Sequence, residues 1–297
     1  MRWTGRRQSD NIEDRRGDGG GGFGGGGMRV PIRGGAGGIG IVGLLVIAGV
    51  LWFGFGVNPM FLFGMDGGQQ QTQSQTANGP GVNGTSDTTD DFVATVLADT
   101  EDVWTKRFAD AGQQYPKPTL VLFNNSVASA CGSASSASGP FYCPNDQKLY
   151  LDLGFFRQLQ GQLNSPGDFA QAYVIAHEVG HHVQNITGIL PAFDRARQNA
   201  SQTDANAMSV RIELQADCYA GIWAHDTQGA GYIEPGDIDE ALNAAQQIGD
   251  DTLQKESQGY VVPDSFNHGT SAQRQTWFKR GYEQGSIAAC DTSKGNL

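Results

Sequence analysis

Residues 169–186 read FAQAYVIAHEVGHHVQNI, and this stretch decides the fold. Its apolar residues, Phe169, Ala172, Val174, Ile175, Ala176, Val179, Val183 and Ile186, surround it on nearly every side. That pattern predicts a helix buried at the centre of a domain. Just upstream, Ser165-Pro166-Gly167-Asp168 predicts the helix start, with a Ser cap, Pro at the first helical position and an acid soon after. Gly188 predicts its stop. Within the helix, His177, Glu178 and His181 have H-E-x-x-H spacing. Residues four apart stack on one helix face, so both imidazoles can reach one metal ion. Glu178 points to a neighbouring face, where it can act as general base on a metal-bound water without ligating the metal. The chain has five His, and three of them fall within six residues. Buried imidazoles and a buried carboxylate cost roughly several kcal/mol in lost solvation unless partnered. A metal is such a partner, and the pattern predicts one Zn2+ per chain.

A catalytic zinc site needs a third protein ligand and one open position. Glu213, in RIELQAD (211–217), is the candidate, and Asp217 lies four residues further along the same predicted helix. Asp217 is then placed to accept the spare ring N–H of a ligand histidine. Cys218 as a fourth ligand would instead close the site and make it structural. His182 projects about 100° from His181, packed or paired with Glu178. A second donor to the oxyanion would help amide hydrolysis. His268 is the candidate for it, with Arg274 or a tyrosine as rivals.

HEVGHH followed by ELQAD resembles the gluzincin arrangement. With GPFYCP (139–144), LYLDLGFF (149–156), HEVGHHVQ (177–184), ELQADCYAGIW (213–223) and HGTSAQR (268–274), residues 91–297 are similar to the bacterial neutral zinc metallopeptidase family. The resemblance implies a zincin-like fold, in which an active-site helix lies beneath a small sheet and a second ligand helix packs against it. It also implies one N-terminal membrane helix. It leaves the substrate open.

Outward from the motif, composition divides the chain into four parts. Residues 1–38, rich in Gly and Arg, are expected to be a disordered cytoplasmic arm. Residues 39–57, IGIVGLLVIAGVLWFGFGV, carry no charge and are long enough to cross a hydrocarbon core of about 30 Å as a helix. Residues 58–90 are expected to be a flexible linker, and 91–297 the folded domain. Helices are predicted over 91–111, 165–186, 203–225 and 235–257, and strands over 119–123 and 149–153. The fold class is therefore α+β, mainly helical with a small sheet.

Charge and cysteine content set the compartment. Seven Arg precede residue 39, and neither Lys nor Arg occurs between Val57 and Lys106. The positive-inside rule then predicts a single-pass cell-membrane protein, with its N-terminus cytoplasmic and its domain outside. The arm holds four acids against those seven Arg, so of the net charge of -11 the rest of the chain carries -14. An acidic domain excludes nucleic acid as a natural partner. Four cysteines in an extracytoplasmic domain suggest two disulfides. Of the three pairings, Cys131–Cys143 with Cys218–Cys290 is preferred, because the first closes a Ser/Gly/Ala loop with little other means of order.

The sequence thus predicts a membrane-anchored zinc peptidase acting on protein or peptide substrates. The alternatives are a zincin-fold module that binds a partner without catalysis, and a zinc hydrolase of a non-peptide amide.

Overall fold

The supporting sheet begins near residue 1. The computed structural model describes residues 1–17 and 88–293. Its strands are β1 (Ile12–Asp14), β2 (Thr119–Phe123), β3 (Ser126–Ser129), β4 (Gly132–Ser135), β5 (Phe141–Cys143) and β6 (Lys148–Asp152). The main sheet has the order β1-β2-β6-β5. The pairs β1–β2 and β2–β6 are parallel, while β5 is antiparallel to β6 and forms one edge. β3 and β4 make a separate hairpin. Alternation sorts the strand side chains between two faces. Ile12, Leu120, Leu122, Leu149 and Leu151 face the main core. Val121, Phe123, Cys143 and Tyr150 pack with Val127 on the other face.

The helices are α1 (Thr88–Asp110), α2 (Gly154–Gly161), α3 (Asp168–Ile186), α4 (Ile189–Arg197), α5 (Gln202–Gly229), α6 (Asp237–Gln247), α7 (Asp250–Gln258) and α8 (Ser271–Gln284). Helix α3 is the central one, as its apolar surroundings predict: Phe169, Ala172, Val179 and Val183 are buried. Phe169 stacks on Trp223 of α5, and Tyr173 meets Phe278 of α8 edge-on. α5 and α8 approach so closely that a Cβ on Gly221 would stand 2.0 Å from the Phe278 carbonyl oxygen. The architecture is α+β with a helical majority, as expected.

The N-terminal arm departs from expectation. Residues 1–17, predicted as part of a disordered arm over 1–38, belong to the same compact unit as 88–293. Met1 is buried, and its ammonium lies 2.7 Å from Asp168 and 3.2 Å from Asp237. Trp3 packs edge-on against Phe92. Arg6 pairs with Asp99, Arg7 with Glu101 and Asp102, and Arg16 with Asp14 and Asp90. Glycine-rich composition averaged over 1–38 hides these anchors, because most of their partners lie about 90 residues away. The folded domain therefore includes residues 1–17 as well as the region predicted from 91 onward.

Smaller differences have local causes. The linker predicted over 58–90 ends earlier, because α1 begins at Thr88. The helix predicted over 235–257 is two helices, α6 and α7, separated at Ile248-Gly249. α3 begins at Asp168 with Gly167 at its N-cap position, so Ser165 is not the cap. The apolar run 39–57 lies outside the described residues, among which no helix is long and apolar enough to cross a membrane.

Candidate metal centre

His177 and His181 rise from α3, and Glu213 faces them from α5. His177 Nε2 lies 3.2 Å from Glu213 Oε2, and His181 Nε2 lies 3.5 Å from Glu213 Oε1. One ligand atom from each of the three falls within 4.8 Å of the others. Gly180 permits this approach, since a Cβ there would lie 3.0 Å from the Ala216 carbonyl oxygen on α5. The second x of H-E-x-x-H is thus the contact point between the two ligand-bearing helices.

Hydrogen bonds to Nδ1 aim both imidazoles. His177 Nδ1 lies 2.8 Å from Asp217 Oδ1. His181 Nδ1 lies 2.9 Å from Gln184 Oε1, and Gln184 donates through Nε2 to the Ile212 carbonyl at 2.7 Å. That bond fixes the Gln184 amide with its oxygen toward His181. Each Nδ1 thus faces an acceptor, the arrangement in which a neutral ring presents Nε2 as a lone-pair ligand. Asp217 is fully buried and also accepts from Arg274 Nε at 2.9 Å, Arg274 Nη2 at 3.0 Å and the Tyr173 hydroxyl at 2.6 Å.

The electrostatics favour a cation at this point. Burial pushes the Asp217 pKa up, but Arg274 and His177 outweigh it and hold the carboxyl at about 2. Glu213 is likewise raised by burial, yet His181 and His177 bring it well below its ordinary value. Burial lowers the His177 pKa, but the Asp217 and Glu213 carboxylates overcome that and push it up to about 10. The carboxylates therefore draw positive charge onto the imidazole face. Two imidazole nitrogens and one carboxylate are a donor set that suits zinc. Glu178 lies beside them with its pKa raised by burial, against the charges of His181 and His177. It stands in a cavity of about 590 Å³ that also holds His177, His181, Glu213 and His268, walled by Phe141, Phe155, Leu163 and Ile212.

The remaining predicted residues fall into place unevenly. His268 reaches the cavity from the loop before α8, with Nδ1 3.1 Å from Asp250 Oδ1. Asp250 in turn accepts the backbone N–H groups of Asn267, His268 and Gly269 at 2.7–3.0 Å. Burial works against charge on His268, and Asp250 overcomes it, so the His268 pKa is raised. Arg274, the rival oxyanion donor, spends its donors on Asp217 and on the Ile248 carbonyl. His182 is buried and does not pair with Glu178. Its Nε2 donates to the Pro116 carbonyl at 2.6 Å and its Nδ1 accepts from Tyr142 at 3.1 Å. Burial lowers its pKa to about 4. The disulfides are Cys131–Cys143 and Cys218–Cys290, the preferred pairing. Cys218 is therefore not available as a fourth ligand.

Three contributors escaped the sequence reading. Gln184 was legible, because it stands three residues beyond His181 on the same helix. Tyr173 reads simply as core, and Asp250 gives no local sign of meeting His268. Among the described residues, one other carboxylate cluster could hold a cation, that of Asp168, Asp237 and Glu240. The Met1 ammonium bonds to two of its members.

Comparison with known proteins places the chain in a family. The model of the family described as "Putative neutral zinc metallopeptidase" matches residues 1–293. The uncharacterized protein YpfJ of Escherichia coli (strain K12) is 49% identical over 293 residues, covering 98% of each chain. The uncharacterized protein Rv2575 of Mycobacterium tuberculosis (strain ATCC 25618 / H37Rv) is 47% identical over 189 residues, covering 60% of this chain and 63% of that protein. No solved structure matches.

Proposed function

The chain belongs to this family of neutral zinc metallopeptidases, and from that premise we propose that it is a zinc-dependent peptidase. His177, His181 and Glu213 hold one zinc ion, and Glu178 is the general base. The observation that carries this reading is the convergence of His177 Nε2, His181 Nε2 and Glu213 on one point beside Glu178, within one cavity. Three protein ligands leave the fourth position open, as a catalytic site requires. When bound, zinc supplies Lewis acidity, which acidifies water and polarises a carbonyl.

The chain's own residues do the rest. Glu178 accepts the proton of the attacking water and delivers it to the leaving amine nitrogen. Its raised pKa suits both transfers. Asp217 holds His177 in the tautomer that presents Nε2, and Arg274 and Tyr173 fix Asp217. His268, oriented by Asp250, donates to the developing oxyanion. Phe141, Phe155, Leu163 and Ile212 exclude water from the reacting bond and receive apolar side chains of a peptide. Attachment to a membrane through Ile39–Val57 belongs to the same reading.

The test compares the full chain with its Glu213→Ala and Glu178→Gln variants, by zinc content and by hydrolysis of a mixed peptide library. Wild type should carry one zinc and cleave. Glu213→Ala should lose both properties, and Glu178→Gln should keep zinc and lose cleavage. A wild type that binds no zinc when supplied with it would sink the proposal.

A further inference from the structure

The arm carries a consequence for topology. β1 is hydrogen-bonded into the sheet that supports α3: the Leu120 N–H donates to the Asn11 carbonyl at 2.9 Å, and the Arg15 N–H to the Leu122 carbonyl at 2.8 Å. A bilayer core is about 30 Å thick, so strands joined this way cannot lie on opposite sides of it. We propose that residues 1–17 and the catalytic domain occupy the same side of the membrane. The proposal differs from the expected arrangement of cytoplasmic N-terminus and external domain. It rests on the proposed membrane attachment and not on the zinc reading.

Five of the seven arginines that predicted a cytoplasmic arm lie among the described residues and are part of the fold. The positive-inside rule gives most weight to charges within about 15–20 residues of a membrane span, and the five arginines of residues 1–17 lie further than that from residues 39–57. Arg2 lies 3.6 Å from Glu234, and Arg7 lies 3.1 Å from Glu101 and 2.7 Å from Asp102. Arg6 pairs with Asp99, and Arg16 lies 2.9 Å from both Asp14 and Asp90. Arg15 donates to the Ala128 carbonyl at 3.2 Å. Of these partners, Asp90, Asp99 and Glu101 are themselves buried. Removing the arm to another compartment would take these arginines from Asp90, Asp99 and Glu101, with Lys117 remaining beside Glu101, and leave the β2 edge unpaired, and both changes disfavour separation. Exchange of arms between copies does not rescue a single crossing, because every copy inserted the same way has its arm on the far side. The family match also begins at residue 1 and runs through the domain, so arm and domain fall within one unit of sequence similarity.

The test uses the full chain in sealed right-side-out membrane vesicles. Single cysteines replace exposed residues, Asp10→Cys in the arm or Lys279→Cys on α8, and a membrane-impermeant maleimide is applied before and after detergent. A wild-type melting temperature for each variant ensures that an intact fold is being labelled. The two positions should react alike, both before detergent or both only after it. Reaction of one position in sealed vesicles with the other protected until detergent is added would overturn the proposal.

Discussion

Asp217 Oδ1 stands 2.8 Å from His177 Nδ1, while the same carboxylate takes two hydrogen bonds from Arg274. One buried acid thus aims a ligand of the candidate centre and is itself neutralised from α8. The acid four residues after Glu213 bonds to His177, and α8 reaches the candidate metal centre through it.

Asp217→Asn should weaken zinc binding without abolishing it. An amide can present an oxygen to His177 but loses the charge that complements Arg274. Affinity should fall roughly 10- to 100-fold, read by competition with a chelator. Unchanged affinity would show that the pair has no orienting role.

His268→Ala and Asp250→Asn should resemble each other if the pair works as one unit. Both should lower kcat with little change in KM or zinc content. The loss in His268→Ala should be on the order of 10²-fold, the usual scale for one oxyanion donor. An effect of His268→Ala on KM alone would assign it to substrate binding.

Gly180→Val should disrupt the centre from outside it. Even a Cβ at this position stands 3.0 Å from the Ala216 carbonyl oxygen, and a branched side chain has no room. Overpacking of this kind costs about 1–3 kcal/mol, and the displacement of α5 should carry Glu213 away from the histidines. The expected result is a lower melting temperature together with reduced zinc content. A stable variant with full zinc occupancy would refute the contact.

Attachment of the arm should be acid-sensitive. Burial raises the Glu101 pKa, but hydrogen bonds from Ser9, Asn11 and Lys117 outweigh it and leave it below the ordinary 4.5. A carboxyl depressed in the folded state contributes stability above its unfolded pKa and loses it as pH falls through the folded value. Protection from hydrogen exchange at residues 9–15, measured against the intrinsic rate at each pH, should therefore hold above pH 4.5 and fall below it. Glu101→Gln should remove much of that dependence, and an identical acid profile in the variant would assign the sensitivity elsewhere.

The Cys218–Cys290 bridge spans 72 residues and should contribute roughly 4 kcal/mol on the chain-entropy account. Because Cys218 follows Asp217, the double Ala variant should lose zinc affinity as well as thermal stability. Loss of Cys131–Cys143 should leave zinc affinity unchanged, since that bridge ties the β3–β4 turn to β5.

What could be read from sequence was what repeats over short range. The His177–His181 spacing, the apolar girdle of α3 and the Glu213–Asp217 pair are periodicities within single helices. The strand Thr119–Phe123 is bounded by its own neighbours and needed no tertiary information. Gln184 was equally local and was passed over.

Meetings between distant segments were decided by the tertiary structure alone. Nothing near His268 indicates Asp250, because the pair forms only when α7 and α8 pack. His182 was legible only as packed or paired with Glu178, and the fold packs it against Pro116 and Tyr142. The arm is the largest case. Its five arginines read as a topology signal in sequence, since a charge seen without its partner is a solvated charge. Folding places Asp90, Asp99 and Glu101 beside three of them, and burial makes those pairs part of the structure. Sequence by itself determined the His177–His181 and Glu213–Asp217 spacings, because each is a property of one helix. Where the N-terminus belongs depends on partners about 90 residues away, and only the folded chain brings them together.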